Sequence, residues 1–276
     1  MRRVVFGLWA SAWVASCTTF GSNTEDGGST PIDSSVPPVA VPTEAGGDAS
    51  STRFCELPEN RPSTTRFCDD FDRDPTTVDF RGWTKRETEP ALVGFDPLAR
   101  SAPWSFASTI PKGSIYAQAF LVRREDPGSR FHVRFDVMGA APPKGAPLYL
   151  GHLGFDNRYD ISLRAFGDGA EHLFVSETGR NSDGGNSDGP DTRVDLAPSL
   201  ASGKWFTIDV RVDEVQKTWT VSMEDGTPTT RPTFVSLPPK TTLTLSLGAE
   251  AYAAASGSIA QDTTLHYDNV IIEAER

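Results

Sequence analysis

The sequence predicts an all-β fold, a two-sheet antiparallel β-sandwich over residues 53–276. Three observations carry this. Apolar and polar residues alternate with period 2 in several short runs, no stretch reads as a long amphipathic helix, and Pro and Gly punctuate the runs. A chain of some 220 residues suffices for one large β core.

The runs follow in order. Strands are expected near Ala117–Arg123, then at Phe131, Val133, Phe135 and Val137, with His132, Arg134 and Asp136 on the opposite face. Others are expected near Tyr149–Phe155, Tyr159–Ala165 and His172–Glu177. Phe206, Ile208, Val210 and Val212 alternate with Thr207, Asp209, Arg211 and Asp213. Glu214–Lys217 reads as the turn to Trp219, Val221 and Met223, and Asp225-Gly226 is a second turn signal. Leu243, Leu245 and Leu247 make a further strand, and Thr264–Glu273 closes the series. One buried and one wet face per strand is the pattern of antiparallel sheets. Asn181–Asp191 holds a small Asn-Ser-Asp-Gly repeat. It lacks the Glu and the flanking helices of an EF-hand and is expected to be a polar loop.

Ahead of the sandwich, Arg2 and Arg3 precede a short apolar run that ends in Val14-Ala15-Ser16-Cys17. The run is too short to span a bilayer, which needs roughly 20 apolar residues. It reads as a secretory signal over residues 1–16. Val14–Cys17 resembles the lipobox of bacterial lipoproteins, which implies cleavage before Cys17 and lipidation of that cysteine. Thr18 stands where an Asp tends to retain such proteins at the inner membrane, so the resemblance implies outer-membrane or cell-surface placement. The other reading is an ordinary signal peptide cut elsewhere. Residues 17–52 are rich in Gly, Ser, Thr and Pro and contain no Lys or Arg before Arg53. Such a segment cannot bury enough apolar surface to fold, and is expected to be a tether.

The formal net charge is −11, and removing Arg2 and Arg3 makes it more negative. This argues against nucleic acid as a partner, since that affinity rests on Lys and Arg neutralising phosphates. The membrane partner is then reached through lipid, and the domain is expected to be a monomer. With Cys17 lipidated, Cys55 and Cys68 remain as a pair in an oxidising compartment. A bridge would contribute about 3 kcal/mol in the chain-entropy account. Two free buried thiols are the alternative.

Several segments, in this order, resemble the concanavalin A-like lectin/glucanase superfamily. They are Phe67-Cys68-Asp69-Asp70-Phe71-Asp72, Trp205 to Asp213, Thr218 to Met223 and His266 to Glu273. The resemblance covers about residues 67–275 and implies a jelly roll whose terminal strands lie side by side. It would bring Asp70 and Asp72 near Asp268, where some members bind a structural calcium. The competing reading is that Asp268 hydrogen-bonds nearby backbone.

Glucanases of the superfamily carry E-x-D-x-x-E on one strand, with one Glu as nucleophile and one as acid. That pattern is absent, and the Arg, Gln or Glu, His and Tyr set of jelly-roll lyases cannot be placed. His132, Arg134 and Asp136 share a face, and His152, His172 and His266 stand apart in sequence. No catalytic residue is assigned. The leading expectation is a non-catalytic lectin-like domain that binds polysaccharide, with Trp83, Trp104 and Tyr149 as exposed stacking residues. Trp205 and Trp219 are assigned to the core or its edge. A glycan-active enzyme and a structural or adhesion lipoprotein are the alternatives.

Overall fold

The structure, a computed structural model, describes residues 53–73, 80–139, 141–143, 146–166, 169–180, 186–195, 199–224, 226–238, 240–253 and 258–276. The signal segment, Cys17 and the tether lie outside the described residues.

Among the described residues sixteen strands follow in chain order. The first four are β1 (Arg66–Asp69), β2 (Thr84–Glu87), β3 (Leu92–Asp96) and β4 (Ser105–Ile110). Next come β5 (Tyr116–Arg124), β6 (Arg130–Gly139), β7 (Pro147–Phe155), β8 (Tyr159–Phe166) and β9 (Gly169–Arg180). Then β10 (Asn186–Asp188), β11 (Thr192–Asp195), β12 (Phe206–Asp213) and β13 (Thr218–Met223). The chain closes with β14 (Thr229–Pro232), β15 (Leu243–Tyr252) and β16 (Thr263–Glu275). Only short 3₁₀ turns, Phe54–Glu56 and Leu200–Ser202, interrupt the β structure of the described residues.

The strands form two antiparallel sheets. The first runs β14-β13-β12-β6-β16-β4-β3, with β1 also paired to β16. The second runs β10-β9-β8-β7-β15-β5-β2, with β11 also paired to β9. The alternation explains the layering. Val133, Phe135, Ile208, Val210, Trp219, Val221 and Tyr267 enter the core from the first sheet. Leu121, Leu148, Leu153, Ile161, Val175, Leu245 and Leu247 enter it from the second. The predicted two-sheet sandwich is the observed one.

Three details differ from expectation or refine it. Asn186–Asp188, expected within a polar loop, pairs with Arg180–Thr178, because the backbone of β9 offers hydrogen bonds that the polar sequence does not advertise. Cys55 and Cys68 form a disulfide. Trp83, expected exposed, is only 6 % exposed. Its ring lies 5.8 Å from Phe67, and its indole N–H donates to Asp69 Oδ2 at 2.9 Å.

Gly248 shows how closely β15 and β5 pack. Its φ is +146°, and a Cβ there would fall 2.0 Å from the Ala119 oxygen. Gly248→Ala is expected to destabilise the domain by about 3 kcal/mol, since neither backbone can yield without breaking the pairing. Urea unfolding of the variant checks this, and a loss under 1 kcal/mol would count against that packing.

Candidate functional site

The outer face of the second sheet gathers side chains that are distant in sequence. Tyr149 and His152 are three residues apart on β7 and would point to opposite faces of a regular strand. Relative to β8, β7 holds one extra residue between Tyr149 and Gly151. This bulge brings both side chains to the solvent side. The register places Tyr149 opposite Arg164 and Glu250, and His152 opposite Ser162 and Ser246. Tyr252 lies directly across from Tyr116.

An aromatic row results. Tyr116 and Tyr252 lie 4.8 Å apart, Tyr252 and Tyr149 6.0 Å, and Tyr149 stacks on His152 at 5.2 Å with an interplanar angle of 16°. Phe120 closes the row edge-on beneath His152 at 5.4 Å. Tyr252 is 45 % exposed.

Carboxylates bracket the row. His152 Nε2 lies 3.1 Å from Glu250 Oε2, and Nδ1 lies 2.9 Å from Ser162 Oγ and 3.4 Å from Asp160 Oδ1. Ser162 donates to Asp160 Oδ1 at 2.6 Å, so His152 Nδ1 donates to Ser162. Burial opposes a charge on His152, but the hydrogen bonds and charges of Asp160 and Glu250 outweigh it and push the pKa up to about 9. Burial likewise raises Glu250, but hydrogen bonds from His152 and Tyr252 hold it below the usual carboxylate range. Burial, with Glu250 beside it, pushes the Tyr252 phenol up. At neutral pH the row therefore presents an imidazolium at His152, a carboxylate at Glu250 and neutral phenols at Tyr116 and Tyr252. None of these groups is a base poised near pH 7, as general-base catalysis prefers.

A shallow groove of about 420 Å³ continues from Tyr149 past Ser162, Arg164, Ser176 and Asp191. Arg164 pairs with Asp191, which also accepts from Ser176 Oγ at 2.6 Å.

Of the stacking residues expected from sequence, Tyr149 stands on this face and Trp83 is in the core. Trp104 is half-buried in the loop before β4, at the other sheet, and its amide donates to Asp72 Oδ1 at 3.3 Å. Trp219 is fully buried, and Trp205 lies at the edge, 6.5 Å from His266. Sequence reasoning missed His152, Tyr116, Tyr252 and Glu250. Gly151 and Gly248, inside otherwise regular strands, were the available signal of irregular pairing.

The acidic residues near the chain ends hold backbone groups, the competing reading for Asp268. Asp268 Oδ2 accepts from the amides of Arg100 and Ser101, at 3.0 and 2.8 Å, and from the Ser101 hydroxyl at 3.1 Å. Burial, with Asp72 adding its charge, pushes Asp268 up to about 7. Burial, with Asp70 adding its charge, pushes Asp72 up to about 6, and Asp72 Oδ2 has no hydrogen-bond partner among the described residues. Asp70 Oδ1 and Oδ2 receive long hydrogen bonds, both 3.4 Å, from the amides of Asp72 and Cys55. Among the described residues no three His, Cys, Asp or Glu side chains gather as metal ligands. Asp268 thus fastens the loop at residues 100–101, and Asp70, Asp72 and Asp268 stay the residues proposed for a structural calcium.

On the first sheet, His132 Nδ1 lies 2.9 Å from Glu273 and Nε2 lies 2.6 Å from Asp209. Asp136 is buried farther along, accepting from Thr207 Oγ1 at 2.5 Å and Asn269 Nδ2 at 2.7 Å. The two are separate ion and hydrogen-bond clusters, so His132, Arg134 and Asp136 do not form one proton-transfer group.

No protein-family model matches the chain, and no curated protein does. Solved structures do. A Bacteroides ovatus glycoside hydrolase family 16 protein of a mixed-linkage glucan system, in complex with a G4G4G3G product, is similar over 75 % of this chain and 98 % of its own, with 16 % identity and a TM-score of 0.56. A glycoside hydrolase family 16 endo-glucanase from Bacteroides ovatus, in complex with G4G3G-2F-DNP, is similar over the same shares, with 16 % identity and a TM-score of 0.55. The cellulose induced protein Cip1 is similar over 76 % of this chain and 98 % of its own, with 14 % identity and a TM-score of 0.53. These likenesses establish the concanavalin A-like jelly-roll fold.

Proposed function

We propose that this chain is a non-catalytic, lectin-like domain that binds polysaccharide across the outer face of its second sheet. The observation that carries the proposal is the row Tyr116, Tyr252, Tyr149 and His152, bracketed by Glu250 and Asp160. Aromatic faces stack on the C–H faces of pyranose rings, and the neighbouring carboxylates and hydroxyls fix sugar hydroxyls by hydrogen bonding. The fixed ionisation of His152 and Glu250 suits binding better than proton transfer. The solved structures of the same fold that hold oligosaccharides support a glycan as the ligand class. The sequence before Arg53 supports presentation on a lipid at Cys17, at the outer membrane or cell surface.

Tyr149→Ala and Tyr252→Ala are each expected to weaken polysaccharide binding at least about tenfold, roughly 1.4 kcal/mol, with little change in unfolding temperature. Affinity electrophoresis against a panel of soluble polysaccharides checks this. A panel that retards neither wild type nor variants would remove the proposal. Release of reducing ends by the wild type would replace it with the glycan-active reading.

A further inference from the structure

Resting on that reading, we propose that His152, held as an imidazolium, is the positioning residue of the aromatic row, and that its loss of a proton releases the bound polysaccharide at alkaline pH. Hydrogen bonding fixes the charge. Ser162 gives its own proton to Asp160 at 2.6 Å, so at 2.9 Å it accepts from His152 Nδ1. His152 Nε2 faces Glu250 Oε2 at 3.1 Å, and an ionised carboxylate only accepts. Both ring nitrogens therefore carry hydrogen, which the imidazolium alone allows.

That ring holds the row from two sides. Nε2 holds Glu250, whose other oxygen accepts the Tyr252 hydroxyl. The ring stacks with Tyr149 at 5.2 Å, and Phe120 of β5 supports it edge-on at 5.4 Å. Tyr149 and Tyr252 come from different strands, and His152 joins them, by stacking to one and through Glu250 to the other. The charges facing the ring are Asp160 on β8 and Glu250 on β15. Exposed Arg86 on β2 acts on Glu250 and Tyr116, and Arg164 on β8 lies opposite Tyr149, paired with Asp191.

On losing a proton the ring keeps one donor for two acceptors. Either Glu250 faces a bare ring nitrogen and swings away with Tyr252, or Ser162 turns its hydroxyl to Nδ1 and abandons Asp160. In both cases two carboxylates stay on the face without the cation between them, and like charges repel. Burial opposes the charge on His152, but Asp160 and Glu250 outweigh it, so the proton leaves only near a pH of about 9.

The test measures the affinity for a soluble mixed-linkage β-glucan and a galactomannan, neutral polymers with no group to titrate, by calorimetry from about pH 7 to about pH 9.5. Imidazole and tyrosine ring resonances of the free protein are followed over the same range. Wild type is expected to lose affinity at least about fivefold, the worth of one hydrogen bond, on the midpoint of the His152 resonance. Far-ultraviolet circular dichroism should show the fold intact throughout. His152→Gln keeps a neutral donor, and is expected to bind at least about fivefold more weakly at neutral pH with no alkaline step. Asp160→Asn removes one of the two carboxylates, and is expected to move both the resonance midpoint and the release to lower pH by about one unit. An affinity that stays constant through the His152 midpoint, or a His152→Gln variant that binds and responds to pH as wild type does, would overturn the inference while leaving a glycan-binding face in place. Binding of neither polymer would remove the glycan reading and the release with it. Tyr149 and Tyr252 resonances that ignore the His152 midpoint would overturn the positioning role itself.

Discussion

Asp69→Ala is expected to cost about 3–5 kcal/mol, the usual effect of breaking a buried ion pair from one side. Asp69 and Arg73 form such a pair, with side-chain exposures of 2 % and 4 %. The same carboxylate takes the Trp83 indole N–H at 2.9 Å and the Phe71 amide at 3.0 Å. Removing it takes a buried carboxylate away from a guanidinium and two N–H groups in a dry environment. Phe71 and Trp83 both belong to the core, so the loss reaches the packing. Asp69→Asn keeps an acceptor for the two N–H groups and is expected to fall between wild type and Asp69→Ala. At 2–4 °C per kcal/mol for a domain of this size, Asp69→Ala should lower the unfolding temperature by roughly 10 °C. A shift under 2 °C would contradict the network.

The second large effect is on pH. Asp268, Asp72 and Glu214 are pushed up to about 7, 6 and 7, in each case first by burial. A carboxyl with a raised folded pKa favours the folded state when protonated. Its contribution is complete below the unfolded value near 4, and is lost as pH rises through the folded value. His152, pushed up to about 9, acts in the same sense at higher pH: its contribution is full below about 6.5 and gone above 9. Each pH unit between a group's unfolded and folded values is worth about 1.4 kcal/mol. Asp209, Glu250 and Glu273 act oppositely. Hydrogen bonds from His132 to Asp209 and Glu273, and from His152 to Glu250, outweigh burial and hold these carboxyls below their usual range. They lose stability only as pH falls below about 4. Stability should therefore be greatest near pH 4, with the unfolding temperature falling by about 20 °C or more by pH 9. A flat profile from pH 5 to 9 would show that these carboxyls and His152 titrate normally. Asp268→Asn should flatten the part of the profile between pH 5 and 7.

How much of this was legible in the sequence follows from which residues face inward. β6 at its start, β12, β13 and the first half of β15 alternate because one face of each is buried there, whereas β16 is buried on both faces from Leu265 to Ile272. β2 reads Thr-Lys-Arg-Glu and β14 reads Thr-Thr-Arg-Pro, with no fully buried residue in either. Only backbone pairing at a sheet edge makes them strands, and side-chain pattern does not report that. Trp83 was misplaced because its neighbours Arg81, Gly82 and Thr84 read as surface, whereas its buried partner Asp69 lies fourteen residues earlier. The candidate site was hidden for a different reason. Tyr116, Tyr149, His152, Glu250 and Tyr252 come from three strands that meet only after folding, and a period-2 count separates Tyr149 from His152. Reading Gly151 as a bulge would have joined them.

The pairing of β1 with β16 also decides how the domain takes a mechanical load. A pull applied ahead of Arg53 enters at Cys55 and crosses the disulfide to Cys68, bypassing the twelve intervening residues, which cannot be drawn out. The force arrives on a strand that is hydrogen-bonded along Arg66–Asp69 to Val270–Glu273 and lies in the sheet opposite the aromatic row. Tension arriving from the N-terminal side is thus taken up first by the sheet that holds β1 and β16.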